Sequence, residues 1–300
     1  MELHQLRYFV AVAETGNFTR ASERCHVTQP SLSQQVLNLE REVGHKLFHR
    51  LGRRAVLTEA GNSLLERARR ILFEVENAAK ELSDHPSLGR RITIGAVQSV
   101  MPYLVVPIIA KAVRELPNLT IDAREDFRAD LVHAVVEGEL DLAVVPLPVK
   151  DPRVSIEPLL TESMLLVVGK HHPIAQRSDI SLAELAEESF VSLGSSSSVA
   201  EQIQVFFGGH NFAPRISYRC AQVATLKLLV AMNLGISILP QLTRQSDDEG
   251  SLTYLRLTGS EPTRELAVIR HLQRYQSRGA EQFLNFLRQH AAPAGQKAPA

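Results

Sequence analysis

Ser31, Gln34, Gln35 and Asn38 recur at i, i+3, i+4 and i+7, so they share one stripe if the segment around them is helical. Amides and hydroxyls both donate and accept hydrogen bonds, which is the chemistry needed to read base edges in the major groove of a duplex. A merely solvated helix face more often carries Lys and Glu. The opposite stripe, Leu32, Val36 and Leu39, is apolar and must be buried against other helices. Thr28 is placed to cap the helix, Pro30 fits a first turn where its missing N–H costs nothing, and Gly44 is placed to end it. Thr28, Gln29 and Pro30 therefore join the stripe as candidate DNA contacts.

Two further groups carry chemistry. Arg50, Arg53 and Arg54 gather at the tip of KLFHRLGRRAVLT, which reads as a two-stranded wing turning at Leu51-Gly52, where the guanidinium groups would reach phosphate oxygens or a minor groove. Each arginine alone also suits an exposed loop. The loop GSSSSVAEQ sets the hydroxyls of Ser195, Ser196, Ser197 and Ser198 at the start of a helix, where N–H groups and hydroxyls together favour a small anion. Ser99 opens another helix in the same way. Gln98, Arg128, Pro146 and Gln222 occupy the remaining strand-to-helix turns, and the whole set is expected to converge on one cleft. Taken singly, each of these is equally well a cap or turn residue.

Catalytic and metal readings find little to build on. GSSSSVA lacks the glycine-flanked elbow of a serine nucleophile, and the sequence pairs no histidine with an acid, so no catalytic residue is assigned. His45 and His49 have i, i+4 spacing, but the wing interrupts any helix there. Two cysteines, Cys25 and Cys220, exclude a disulfide framework and a cysteine-rich zinc site, and no cofactor is expected.

The elements that must position these groups follow in chain order. Leu3, Leu6, Val10 and Ala13 give a first helix an apolar face ending at Gly16; Asn17 or Thr19 caps a short helix ending near Cys25, with Ala21 and Cys25 inward. The tight connection from His26 to Gln29 makes a helix-turn-helix of this helix and the next. From Glu59 to Leu82 the residues Leu64, Ala68, Ile71, Leu72, Val75, Ala79 and Leu82 draw one stripe along about 36 Å of helix, which has little of its own domain to bury against and is expected to pair with a second copy. SDHPSLGRR reads as a hinge. Beyond it RITIGAV, LTIDARED, LDLAVVP, SMLLVVG, SFVSLG, RISYRC, GISILP and RELAVIRH alternate with helices at residues 100–116, 128–136, 183–187, 199–207, 222–232 and 279–289. That is βαβ order in two lobes.

The expected fold class is α/β with an all-α, winged head. Its parts are a winged helix-turn-helix over residues 1–58, a linker and dimerisation helix over 59–82 and a hinge over 83–91. Lobe I follows over 92–161 and 266–290, lobe II over 162–265, and a disordered tail over 291–300. The chain of 300 residues has net charge +0, yet up to Arg70 it carries eleven basic against seven acidic side chains. A mildly basic head on a mildly acidic body suits a DNA reader joined to a sensor. No apolar run spans a bilayer and the start MELHQLRYF lacks a signal peptide's regions, so the expected location is the cytoplasm, without membrane contact.

The run Phe9, Ala13, Phe18, Thr19, Ala21, Ser22, Val27, Thr28, Gln29, Pro30, Ser31, Ser33, Leu39, Glu40, Gly44, Leu47, Phe48, Arg50, Leu57, Thr58 and Gly61 resembles the N-terminal pattern of LysR-type transcriptional regulators. PYLVVPII and LVAMNLGISILP resemble that family's peroxide-sensing branch. The resemblance implies a linker-helix dimer, usually assembled to a homotetramer, and a periplasmic-binding-protein-like body whose interlobe cleft takes a small-molecule effector. It also implies double-stranded operator DNA and RNA polymerase as partners, with Ser31, Ser33, Gln34 and Gln35 contacting bases or backbone and Arg50, Arg53 and Arg54 on the wing. Family members often carry a basic residue where this chain has Gln34 or Asn38. The branch's two redox cysteines align with Ser198 and Phe207, which cannot form a disulfide.

The expected function is thus a DNA-binding regulator, not an enzyme, switched by a small anion or carboxylate. Two alternatives stay open: a thiol-based, peroxide-responsive regulator using Cys220 beside Arg219 and Arg215, and a cytoplasmic small-molecule-binding protein without a DNA role.

Overall fold

A computed structural model describes residues 1–52, 54–83, 90–177, 180–259 and 261–291, in two compact units, Met1–His85 and Pro86–Ala300. Arg53, the hinge residues 84–89 and the tail residues 292–300 lie outside the described residues.

The first unit begins with α1 (Leu3–Thr15), which turns at Gly16 with a left-handed φ of 62°, and α2 (Phe18–Arg24), capped by Asn17. Asn17 Oδ1 accepts from the backbone N–H of Thr19 at 2.8 Å and of Arg20 at 3.2 Å. Then come α3 (Gln29–Val43), ended by Gly44, and the hairpin of β1 (Phe48–Leu51) and β2 (Arg54–Leu57), with Phe48 opposite Leu57. The inward face of α1 is Leu6, Phe9 and Val12; Leu3 is exposed and Val10 and Ala13 are half-buried, so the expected face is displaced. The aromatic ring explains the shift: Phe9 stacks against Phe48 of the hairpin, with ring centroids 5.3 Å apart, and draws that side of α1 inward. Leu32, Val36 and Leu39 of α3 have no accessible surface, as their spacing requires.

The 25-residue helix α4 (Glu59–Ser83) starts under the hairpin. A Cβ at Gly61 would overlap the carbonyl oxygen of Leu47, so only glycine lets the helix start that close. Ala60, Leu64, Leu65, Ala68 and Leu72 pack into the core of this unit, so the helix buries more of itself here than its length suggested. Further along, Ile71 is 37% and Leu82 85% exposed.

The second unit opens with β3 (Arg90–Ala96), flanked in parallel by β4 (Leu119–Glu125) and β5 (Leu142–Pro146). Between them run α5 (Val106–Glu115) and α6 (Arg128–Glu137). The helix expected from Val100 starts instead as a wide π-turn over Met101–Val105, because Pro102 and Pro107 each withhold an N–H from the α ladder. β6 (Val154–Gly169) then runs for 16 residues. Only its second half, SMLLVVG, was legible as a strand, since Pro158 and the charges at Glu157 and Glu162 break the alternation before it. The register slips between Leu266 and Ala267 of its partner strand, opposite that proline.

Lobe II contains β7 (Ile180–Ser181), β8 (Ser189–Leu193), α7 (Ser198–Gly209), β9 (Arg215–Cys220), α8 (Val223–Ala231), β10 (Ser237–Pro240), β11 (Leu252–Leu255) and β12 (Leu257–Thr258). The short helix expected near 183–187 is a 3-10 turn, Leu182–Leu185, closed by a Ser181/Glu184 capping box. The chain returns through β13 (Thr263–His271) and ends in α9 (Arg278–His290). The first part of β6 pairs with β13, and its last part with β10 and β11. Two apolar cores result, one around β3, β5, α6 and α9, the other around β8, β10, α7 and α8.

Gly95 in β3 allows α6 to lie directly on the sheet, since a Cβ there would meet Leu131 at 2.5 Å and Leu140 at 2.6 Å. Gly95→Val is expected to lower unfolding stability by about 1–3 kcal/mol through overpacking, read from urea denaturation.

Candidate functional site

The polar stripe of α3 is presented as its spacing predicts. Ser31 and Gln34 are exposed, Gln35 and Asn38 half-buried. The amides are already ordered: Gln34 Nε2 donates to Asn38 Oδ1 at 3.0 Å, and Gln35 Oε1 accepts from Gln5 Nε2 of α1 at 3.3 Å. The first bond uses Gln34's NH₂ and Asn38's oxygen, so the pair keeps one acceptor, Gln34 Oε1, and one donor group, Asn38 Nδ2, the types that complement an adenine edge. Thr28 and Pro30 are exposed and Gln29 is half-buried. Thr28 holds the cap position without a side-chain hydrogen bond.

Ser33 differs from the rest. Only 9% exposed, it accepts a hydrogen bond from Arg50 Nη2 at 3.2 Å, and the same guanidinium lies 4.5 Å from the centroid of Phe18. Ser33 thus faces the wing, where it holds the Arg50 guanidinium. Glu40 performs a similar service, accepting from the backbone N–H of Leu47 at 2.7 Å and of Phe48 at 3.2 Å to seat the first strand of the wing. Glu14 takes Arg24 at 2.7 Å and Arg69 at 3.0 Å, fastening α1 to α2 and α4. Arg54 stands exposed on the wing.

In the second unit the strand-to-helix turns behave unequally. Ser195 and Ser196 are exposed, Ser197 and Ser198 buried, with the loop closed by Ser197 N–H donating to Gly194 O at 2.9 Å. Gln98 is half-buried, Pro146 buried at the end of β5 and Gln222 exposed at the start of α8. Ser99 is buried and engaged: its hydroxyl accepts from Arg264 Nη1 at 2.8 Å and its carbonyl from Nη2 at 3.2 Å. Arg264 Nε donates to Glu162 Oε1 at 2.7 Å, and the other carboxylate oxygen of Glu162 accepts from Leu242 N–H at 2.6 Å. Burial pushes the Arg264 guanidinium's pKa down, and the charge and hydrogen bond of Glu162 oppose it.

Arg128 at the head of α6 pairs with Glu201 in the first turn of α7 at 2.5 Å. Next along α7, Gln202 Nε2 donates to the carbonyl of Leu147, just beyond β5, at 3.2 Å. A third tie is Tyr103 of the π-turn, whose ring lies under Lys227 of α8 at 5.6 Å, while Lys227 pairs with Asp248 at 2.6 Å. Sequence reading missed Glu162, Arg264, Glu201 and Gln202. For the first pair there was a signal: each is a charge in phase with the buried face of its strand, Arg264 with Leu266 and Val268, Glu162 with Met164 and Leu166.

Burial pushes both thiols, Cys25 and Cys220, above the ordinary cysteine value. Among the described residues there is no cluster of three His, Cys, Asp or Glu able to hold a metal, and no helix is long and apolar enough to cross a membrane.

Residues 3–62 match the model of a bacterial regulatory helix-turn-helix protein of the lysR family, and residues 85–292 match the LysR substrate binding domain. A hydrogen peroxide-inducible genes activator of Pectobacterium carotovorum is 33% identical over 90% of each chain. The Hca operon transcriptional activator HcaR of Escherichia coli is 32% identical over 88% of this chain and 89% of its own. Among solved structures, a full-length OxyR of Pseudomonas aeruginosa with one cysteine replaced by aspartate superposes with a TM-score of 0.70 at 26% identity, covering 97% of this chain and 94% of that one.

Glu162→Ala leaves the Arg264 guanidinium buried without a counter-charge. The expected loss in unfolding stability is about 3–5 kcal/mol, against a far smaller loss for the Glu162→Met/Arg264→Met double variant, measured by denaturant titration.

Proposed function

The chain belongs to the LysR family of DNA-binding transcriptional regulators, and from that premise we propose how its own residues divide the work. The observation that carries the reading is the outward face of α3, polar and uncharged, beside the Phe18-stacked and Ser33-bonded guanidinium of Arg50. Ser31, Gln34, Gln35 and Asn38 read base edges; Thr28, Gln29, Arg50, Arg53 and Arg54 hold the phosphate backbone, with Pro30 lying against it in the first turn of α3. Amides in place of basic groups on the reading helix give a modest phosphate count, so discrimination owes more to hydrogen-bond matching than to charge.

The second unit senses. Its lobes meet along the turns carrying Gln98, Ser99, Arg128, Pro146, Ser195 to Ser198 and Gln222, and the cleft there takes a small carboxylate. Ser99 serves through Arg264, positioning one lobe on the other. Residues 59–82 make the dimer, with the exposed Ile71 and Leu82 among the side chains it covers, and dimers pair to a tetramer. The protein works in the cytoplasm, meets RNA polymerase at its promoters, and catalyses no reaction. Within this reading residues 1–58 form the DNA-binding domain, 83–91 the hinge, and 92–161 with 266–290 and 162–265 the two lobes.

The names of peroxide-responsive relatives favour a second reading, sensing by a thiol. The chemistry here opposes it. Cys220 makes contacts to the Ser192 and Gln222 carbonyls, at 3.6 and 3.7 Å, and its pKa is raised, so little thiolate is available to attack a peroxide. Cys25, the second thiol, lies in the other unit.

The test uses the full chain with operator sequences selected from a random duplex pool. Gln34→Ala should weaken the selected sequence by about tenfold and relax preference at one base pair. Arg54→Ala should weaken all sequences alike and flatten the salt dependence by about one phosphate contact. Equal loss on selected and random DNA from both variants would contradict the assignment.

A further inference from the structure

Two consecutive residues of α7 reach across the cleft, and each contact leaves a polar atom stranded. Glu201 takes Arg128 through Nη2, but Arg128 Nη1 is buried with no hydrogen-bond partner. Gln202 donates Nε2 to the Leu147 carbonyl, but its Oε1 is also buried with no partner. A buried polar atom left unpaired is destabilising, so two of them where the lobes meet want a reason. Rotating the Gln202 amide does not help, because the Leu147 carbonyl can only accept and would then face an oxygen.

The two stranded atoms are opposite in kind. Nη1 can only donate and Oε1 can only accept, so whatever satisfies both must offer an acceptor to the first and a donor to the second. Charge narrows the choice further. Glu201 already balances Arg128, so a plain carboxylate placed on Nη1 would face the Glu201 carboxylate and still leave Gln202 Oε1 without a donor. A hydroxyl or ammonium group on the carbon next to that carboxylate removes the conflict by donating to Gln202.

We propose that the ligand of this cleft is a small α-hydroxy or α-amino carboxylate, its carboxylate bound by Arg128 Nη1 and its adjacent donor by Gln202 Oε1. This rests on the interlobe cleft being the effector site and narrows the ligand from any small carboxylate to one class. Arg128 and Gln202 are then binding residues contributed one by each lobe, so occupation of the site adds ties between the lobes.

The test titrates the full-length protein calorimetrically with lactate, alanine and propionate, which share a three-carbon carboxylate and differ in the donor at the second carbon. Lactate or alanine should bind at least about tenfold tighter than propionate, the contrast between them separating hydroxyl from ammonium recognition. Gln202→Leu should bring the preferred probe down to propionate's level, and Arg128→Gln should weaken all three. Propionate binding as tightly as both others, and weakened by Arg128→Gln, would overturn the donor requirement while leaving the cleft as a carboxylate site. No binding by any probe to the wild-type chain would overturn the carboxylate reading together with this narrower one. The comparison among probes uses the wild-type chain, so it holds even where a variant folds poorly.

Discussion

Arg264 and Glu162, with side chains 0% and 5% exposed, can remain charged only by facing each other. The pair sits on the two longest strands of the sensing unit, β6 and β13, near where β6 leaves one sheet partner for others. Removing two charges from water is expensive, and their mutual attraction repays it only when the remaining polar atoms are also bonded. Here they are: Ser99 supplies a hydroxyl and a carbonyl from the turn after β3, and the Leu242 N–H comes from the turn that follows β10. One buried network thereby fixes the lobes at their junction.

The contacts farther from that junction are of a different kind. Arg128 is 20% and Glu201 48% exposed, so water and salt reach the pair and its contribution is small. A firm junction and a weak latch are what a sensing unit needs, since a ligand can bias an arrangement only when the competing interactions are comparable with its own binding energy. The helix-turn-helix unit follows the opposite rule, with the polar side chains of α3 and its wing tied down. Arg50 is stacked and hydrogen-bonded, Gln34 and Asn38 are bonded to each other, and Glu40 pins the wing, so little side-chain freedom is left to lose on binding.

Much of this is legible in the sequence. The seam of Leu32, Val36 and Leu39, the cap narrowed to Asn17 or Thr19, the glycine stops and the alternation of strands and helices rest on local rules, and local rules read well from one sequence. What escaped depends on distant partners. Ser33 follows the family pattern for a contact residue, yet Arg50, 17 positions away, turns it inward. Ser99 reads as a cap until Arg264, 165 positions on, takes its hydroxyl. The first half of β6 was lost because Pro158 and two acids hide a strand that tertiary pairing with β13 sustains. Glu201 and Gln202 look like ordinary surface residues in a helical run, and only the approach of Arg128 and Leu147 gives them partners.

Backbone hydrogen exchange by mass spectrometry, on the full-length wild-type chain and on Glu201→Gln, tests the division into firm junction and weak latch most directly. The account predicts faster exchange in the first turns of α6 and α7 once the latch is neutralised, with the segments of β6 and β13 around Glu162 and Arg264 unchanged. Acceleration of those strands together with the helices would contradict it, as would unchanged exchange everywhere.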